Sequence, residues 1–286
     1  MAQGPFPGSA GTSNSTAIHK DSALFVNWAN GHSSYVIGAD VDITWQTPHK
    51  AYGKAAGMPS DIVSLGNGGA ITLFFPLPIR DGAGADFAVF ENAFSDTFLE
   101  LAFVEVSSDG INFFRFPTTS LTPSAVGAFG VVYPDEIDGF AGKYRAGFGT
   151  PFDLAVLTSN NLLDKENIRY VRLIDIVGNG NTKDAAGRSI FDPTPTVGSG
   201  GFDLDGVGVI HQNANTHINI LQAGLNAQGF LLRWESNPGT SYRIETSVNL
   251  QSWQVLETVL GAAGDRSERL FPITNEARRF WRVMRP

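Results

Sequence analysis

The apolar positions of this chain come in short bursts rather than long stripes. Residues 71–75, 87–91, 100–107, 113–116, 155–157, 170–176 and 206–211 are apolar or alternating runs, broken by Gly, Asp-Gly, Asn-Gly or Pro. Breaks at a spacing of roughly ten residues predict a β-sandwich or jelly roll. Between 103–106 and 111–114 the stretch Ser107-Ser108-Asp109-Gly110 supplies the positive φ of a tight hairpin. Helical spacing is expected at two places only. In 21–29, Asp21 or Ser22 serves as cap and Leu24, Phe25 and Trp28 share a face, and a second short helix is expected at 159–167.

The polar stretch after His211 lacks periodicity and reads as a linker, 213–224, leading to a smaller β-sandwich at 225–286. That second unit is expected to hold strands at 229–234, 241–246, 253–256 and 279–284. Its Trp234, Trp253 and Trp281 read as core side chains, with a carbohydrate platform as the alternative. The larger unit spans 17–212, after a flexible segment at 1–16 whose small polar composition suits the remnant of a cleaved export signal. The expected fold class is therefore all-β, a jelly-roll or sandwich main domain followed by a smaller sandwich.

Charge and composition narrow the chemistry. Residues 1–212 carry 12 basic and 22 acidic side chains, net −10, whereas 213–286 carry 8 and 6, net +2. The acidic unit repels phosphate backbones and anionic bilayers, so neither nucleic acid nor membrane insertion is expected. The absence of cysteine removes thiolate metal sites, iron–sulfur clusters and a cysteine nucleophile. Neither G-x-S-x-G nor H-E-x-x-H occurs.

Two segments, 103–113 (FVEVSSDGINF) and 168–173 (IRYVRL), resemble the hairpin and late strand of galactose-binding-like, discoidin-type jelly rolls. Over roughly 17–211, the segments 63–73, 86–92, 142–149 and 201–209 resemble a family of exported bacterial cell-surface proteins. Many members carry a sorting tail of the PEP-CTERM kind. Residues 225–286 resemble a fibronectin-III-like module found on exported proteins of Verrucomicrobia and their relatives. The resemblance implies an exported, surface-associated protein. No hydrophobic sorting tail follows the last strand, so sorted anchoring is not expected here.

Calcium is the expected cofactor, because it takes six to eight oxygens from flexible acidic loops. The candidate ligands are Asp175, Asn179, Asn181, Asp184, Asp192, Asp203 and Asp205, with Asp203 and Asp205 placed two apart to share one strand face. A solvated Asn/Asp/Gly loop is the alternative. Asp40, Asp42 and the loop 81–86 form a second acidic stretch, which turn chemistry also explains. Glu91 interrupts an apolar strand, so it either faces out or pairs inside with a cation or with Arg145 or Arg172. A ligand face is expected from Trp45, Tyr52, Tyr133, Tyr144 and Arg145. The function these readings point to is a secreted, non-catalytic, calcium-stabilised binding or adhesion protein for a glycan or surface polymer. A self-associating matrix protein and a polysaccharide hydrolase are the alternatives.

Overall fold

A computed structural model describes residues 4–213, 218–236, 241–262, 264, 266–272 and 278–284. The chain is nearly all β and divides into two units, 1–213 and 214–286. The larger unit is a sandwich of two antiparallel sheets. One runs in the order Ile18–His19, Phe148–Phe152, Phe87–Glu91, Asp203–Val209 and Asn27–Trp28, with Val63–Ser64 also pairing with Asp203–Val209. The other runs Gly31–Val36, Ala70–Ile79, Ile168–Asp175, Ala102–Ser107 and Phe114–Arg115. Val89, Leu204 and Val207 from the first sheet and Leu73, Val104 and Val171 from the second fill one shared core. Each such side chain contributes about 1.5–3 kcal/mol by leaving water. A second core, with Leu99, Leu101, Phe103, Val132 and Phe140, lies under the loops at one end.

The central strands and the hairpin follow the sequence pattern. Gly110 has φ +77°, and the Asp109 carboxylate accepts the Ile111 and Asn112 amides, which closes the turn. Both expected helices are absent. At 21–29 the backbone turns and then pairs at Asn27–Trp28 with Gly208 and Val209, while Phe25 and Trp28 pack on Phe90. The apolar face read as helical is thus spent on a sheet. At 159–167 the Asn160 and Asp164 carbonyl and carboxylate oxygens accept the amides two residues on, a turn that competes with helix. The expected strand at 155–157 is a short 3-10 turn, Leu154–Val156, capped by Asp153 through the Ala155 amide.

The N-terminal segment is fastened rather than loose over its described part, 4–16. The Gly4 amide donates to Asp135, Arg145 donates to the Ala10 carbonyl, and Thr16 meets the Tyr144 hydroxyl. Part of the expected linker, 213–224, is strand, because Ile220–Asn226 pairs with Gly229–Glu235. The smaller unit holds two three-stranded sheets, Ile220–Asn226, Gly229–Glu235 and Arg266–Phe271, and Gln254–Leu260, Ser241–Ser247 and Phe280–Met284. Trp234 is fully buried between them, and Trp281 stacks on Phe230 at 4.8 Å. Trp253 is half-buried under the Arg282 guanidinium.

Gly142 shows how tightly the end loops are drawn to the sheets. Its φ is +86°, and a Cβ there would sit 1.9 Å from the Glu100 carbonyl oxygen. Gly142→Ala is expected to lower stability by about 1–3 kcal/mol in urea denaturation, the cost of a forced backbone conformation. Gly31→Ala, where a Cβ meets nothing within 4 Å, is expected to leave the midpoint almost unchanged.

Candidate functional site

Three loops converge beside the second core. The first, 92–101, leaves Phe87–Glu91 and enters Ala102–Ser107, carrying Phe94, Phe98 and Glu100. The second carries Phe129 and is held to the first by the Val132 amide donating to Thr97. The third, 192–202, brings Thr196 and Ser199 and leads into Asp203 at the start of its strand. The Leu101 amide donates to Asp192 at 2.9 Å, tying the first loop to the third. The Arg145–Asp96 ion pair at 2.6 Å anchors the outer bend of the first.

These loops enclose a pocket of about 560 Å³. Its rim is aromatic: Phe94 and Phe98 stack at 4.5 Å, and Phe98 and Phe129 at 6.2 Å. Phe94 is 70% exposed and Phe129 85%, unusual for rings that burial would stabilise by 1.5 kcal/mol or more each (about). The walls are polar, with Asn92, Glu100, Thr196, Ser199 and Asp203. Asn92 donates to the Asp203 carboxylate at 3.3 Å, and Ser64 donates to its other oxygen. Glu100 is 5% exposed, and its Oε1 is buried with no hydrogen-bond partner.

Behind the walls lie Glu91, Asp175 and Asp192, all buried. Glu91 pairs with neither arginine expected of it. Arg145 is taken by Asp96 and Arg172 by Glu105, while Glu91 accepts the Ala93 amide. Among the described residues none of these five buried acids forms an ion pair with a basic side chain. Burial pushes Asp175 up to about 6, pushes Asp203 up to about 7 with repulsion from Asp175 adding to it, and pushes Glu100 up to about 9 with repulsion from Asp203 and Asp175. Burial and neighbouring acids raise Glu91 and Asp192 well above the usual range too.

The expected calcium ligands do not form one site. Asp175 accepts the Gly68 and Phe202 amides, Asp192 the Leu101 amide, and Asp205 the Ala56 and Gly57 amides. Asp184 sits elsewhere, accepting the Ser120, Ala186 and Arg188 amides and the Arg188 guanidinium. Asn179 and Asn181 lie on the exposed edge of the hairpin Asn179–Lys183 with Ser189–Phe191. The register of Asp203–Val209 slips between Leu204 and Gly206, so Asp203 and Asp205 do not share a ligand face. These aspartates fasten loops through charge-assisted bonds to backbone amides.

The expected ligand face is dispersed as well. Tyr144 is 1% exposed with its hydroxyl on Thr16, so it cannot stack on a ligand. Arg145 is committed to Asp96, Ala10 and the Phe148 ring. Tyr52 packs on the main core beside His32, Tyr133 is exposed, and Trp45 lies half-buried in the 3-10 turn Ile43–Trp45. Among the described residues no ring contact joins any two of the four. The rings that do assemble are phenylalanines, Phe94, Phe98 and Phe129, none of them among the expected ligand residues.

Asp81, Asp86 and Asp153 form a separate acidic group that could hold a metal ion, offering oxygens all within 4.8 Å of one another. A shallower depression of about 450 Å³ is lined by Arg115, Lys183 and Asp184. Its charges are already partnered, Arg115 by Glu105, Lys183 by Gly180 and Ser189, and Asp184 by Arg188. Among the described residues no helix is long and apolar enough to cross a membrane.

No family model matches the chain, and no curated protein matches it. Among solved structures it is similar to a β-1,2-glucanase from Parabacteroides distasonis, at 12% identity and a TM-score of 0.25. That alignment covers 91% of this chain and 36% of the glucanase chain. So distant a likeness carries no argument about fold or function.

The buried acids make stability depend on pH in a set direction. Unfolded carboxyls titrate near about 4, so between there and the raised folded values the folded state holds more protons, and stability falls as pH rises. The melting temperature is expected to fall from about pH 5 to pH 9 in calorimetric scans. Glu100→Gln is expected to flatten the part above about pH 7. A melting temperature that rises across that range would contradict this description of the walls.

Proposed function

We propose that the larger unit is a carbohydrate-binding module whose site is the pocket under Phe94, Phe98 and Phe129. The observation that carries this reading is three adjacent phenyl rings, two of them largely exposed, above walls of carboxyl, amide and hydroxyl groups. Sugar rings present apolar C–H faces and a fringe of hydroxyls. The phenyl rings supply the flat apolar surface, and Asn92, Glu100, Ser199 and Asp203 supply the hydrogen-bonding partners. Exposed rings that adjoin one another form a contiguous apolar patch, the kind of surface that marks a binding groove.

Export to the cell surface belongs to the same proposal. It is supported by the small polar composition of the N-terminal segment, with the smaller unit serving as a fibronectin-III-like spacer. Calcium is the proposed ion at Asp81, Asp86 and Asp153. There Asp86 is already bonded to the Gly82 and Leu154 amides and to His211, so the ion would fasten loops rather than contact the glycan.

Hydrolysis is a second reading, favoured by one observation. Glu100 and Asp203 line the same pocket, burial raises Glu100 to about 9, and an acid that holds its proton with a second carboxyl nearby is the pair glycosidic cleavage uses.

Calorimetric titration against a panel of soluble oligosaccharides tests the first reading. Phe94→Ala and Phe129→Ala are each expected to weaken binding about tenfold or more. Because both rings are exposed, the melting temperature is expected to move little. Binding that survives both changes would place the site elsewhere. Product release from a bound polysaccharide by the wild type, lost in Glu100→Gln, would establish the second reading. For the ion, calcium added to chelator-treated protein is expected to raise the melting temperature, by about 2.7 kcal/mol of stability at a hundredfold excess over Kd. Asp153→Asn is expected to abolish that rise.

A further inference from the structure

We infer that the ligand of the phenylalanine-rimmed pocket carries a positive charge, and that an ammonium group, as on an amino sugar, docks against Glu100 and Asp203. This inference rests on the carbohydrate-binding reading and narrows its ligand class.

Charge complementarity is the first support. Glu100 and Asp203 line the pocket, and Glu91, Asp175 and Asp192 lie buried behind them. No lysine, arginine or histidine lines the pocket, and among the described residues none pairs with any of the five acids. A buried carboxyl without a counter-charge holds its proton, and an arriving ammonium can displace that proton and supply the counter-charge in its place.

The second support is independent of the acid count. Glu100 lines the pocket at 5% exposure, and its buried Oε1 has no hydrogen-bond partner. Most other carboxylate oxygens nearby are taken by backbone amides or side chains, those of Asp175 by Gly68 and Phe202 and those of Asp203 by Ser64 and Asn92. One acceptor is thus left open on a residue that lines the pocket. An ammonium, with three donors, fits an acceptor of this kind.

The rim separates an organic cation from a metal ion. Phenyl faces attract a cation attached to an apolar body, whereas a hard metal ion needs several oxygens converging at one point. Among the described residues the acids whose oxygens converge in that way are Asp81, Asp86 and Asp153, and none of them lines this pocket. The raised titration of Glu100 and Asp203 agrees, since it reflects burial without a positive neighbour.

The test compares two probes that differ only at nitrogen, a glucosamine hexasaccharide and its fully N-acetylated form. Both are titrated calorimetrically into the full chain at about pH 6, where an amine of this kind is protonated, and at about 0.15 M salt to screen surface attraction. The free-amine form is expected to bind roughly tenfold tighter or more, the factor that a charge-assisted hydrogen bond supplies. Glu100→Gln is expected to erase that preference, while Glu268→Gln, an exposed acid in the smaller unit, leaves it intact.

Equal affinity for the two forms, lost in Phe129→Ala, would overturn the charge requirement and leave the pocket reading standing. Binding of neither form would overturn the charge inference, and silence across the whole oligosaccharide panel would overturn the pocket reading as well. Calcium that competes with the free-amine form in the wild type but not in Glu100→Gln would assign the acceptors to a metal and overturn the organic cation. The comparison of probes on the wild type does not depend on any variant folding.

Discussion

Backbone amides delivered to buried aspartates are the interaction on which the larger unit depends. Much of this unit is loop, and each loop brings peptide groups that must find partners once water is gone. Asp86, Asp175, Asp184, Asp192 and Asp205 provide those partners at five points around the sandwich. Removing one of these carboxylates would free one amide at Asp192 and two or three at each of the others. The strands supply the core, but the aspartates decide where the loops between them lie.

This role explains why the acidic residues were easy to find in the sequence and hard to interpret. Aspartate beside glycine suits a cation loop and a loop clamp equally well, and the two differ only in whether the oxygens face one another or face backbone amides. Spacing placed Asp203 and Asp205 on one face, and a single bulge in their strand separated them. Glu91 was legible as an anomaly inside an apolar strand. Its grouping with Glu100 and Asp203 was not, because one comes back to it along the following loop and the other from the adjacent strand.

The β architecture was legible because alternation and turn residues act over a few positions. The helix expected at 21–29 fails for the same reason: Leu24, Phe25 and Trp28 look helical in isolation, and only the edge at Gly208 and Val209 draws Asn27 and Trp28 into sheet. The pocket was illegible. Phe94 and Phe98 sit four apart in a loop and Phe129 thirty residues further on, so their stacking is a property of the folded loops. Tyrosine and tryptophan are the usual stacking residues, yet Tyr144 is core and the exposed rings that assemble are phenylalanines. One local signal was present: Phe94-Ser-Asp-Thr-Phe98 places two large rings in a polar, turn-rich stretch where nothing nearby in sequence can cover them.

The exposure of Phe94 and Phe129 also has a thermal consequence. Water lying over two phenyl rings is released when they are covered, and that release carries a negative heat-capacity change. The enthalpy of occupying the pocket therefore becomes more favourable with warming, while the hydration-driven part of ring contact weakens on cooling. On the proposed reading, rings and acids thus divide the work of the site by temperature: in the cold, binding leans on the polar walls, and in warmth the rim takes the larger share.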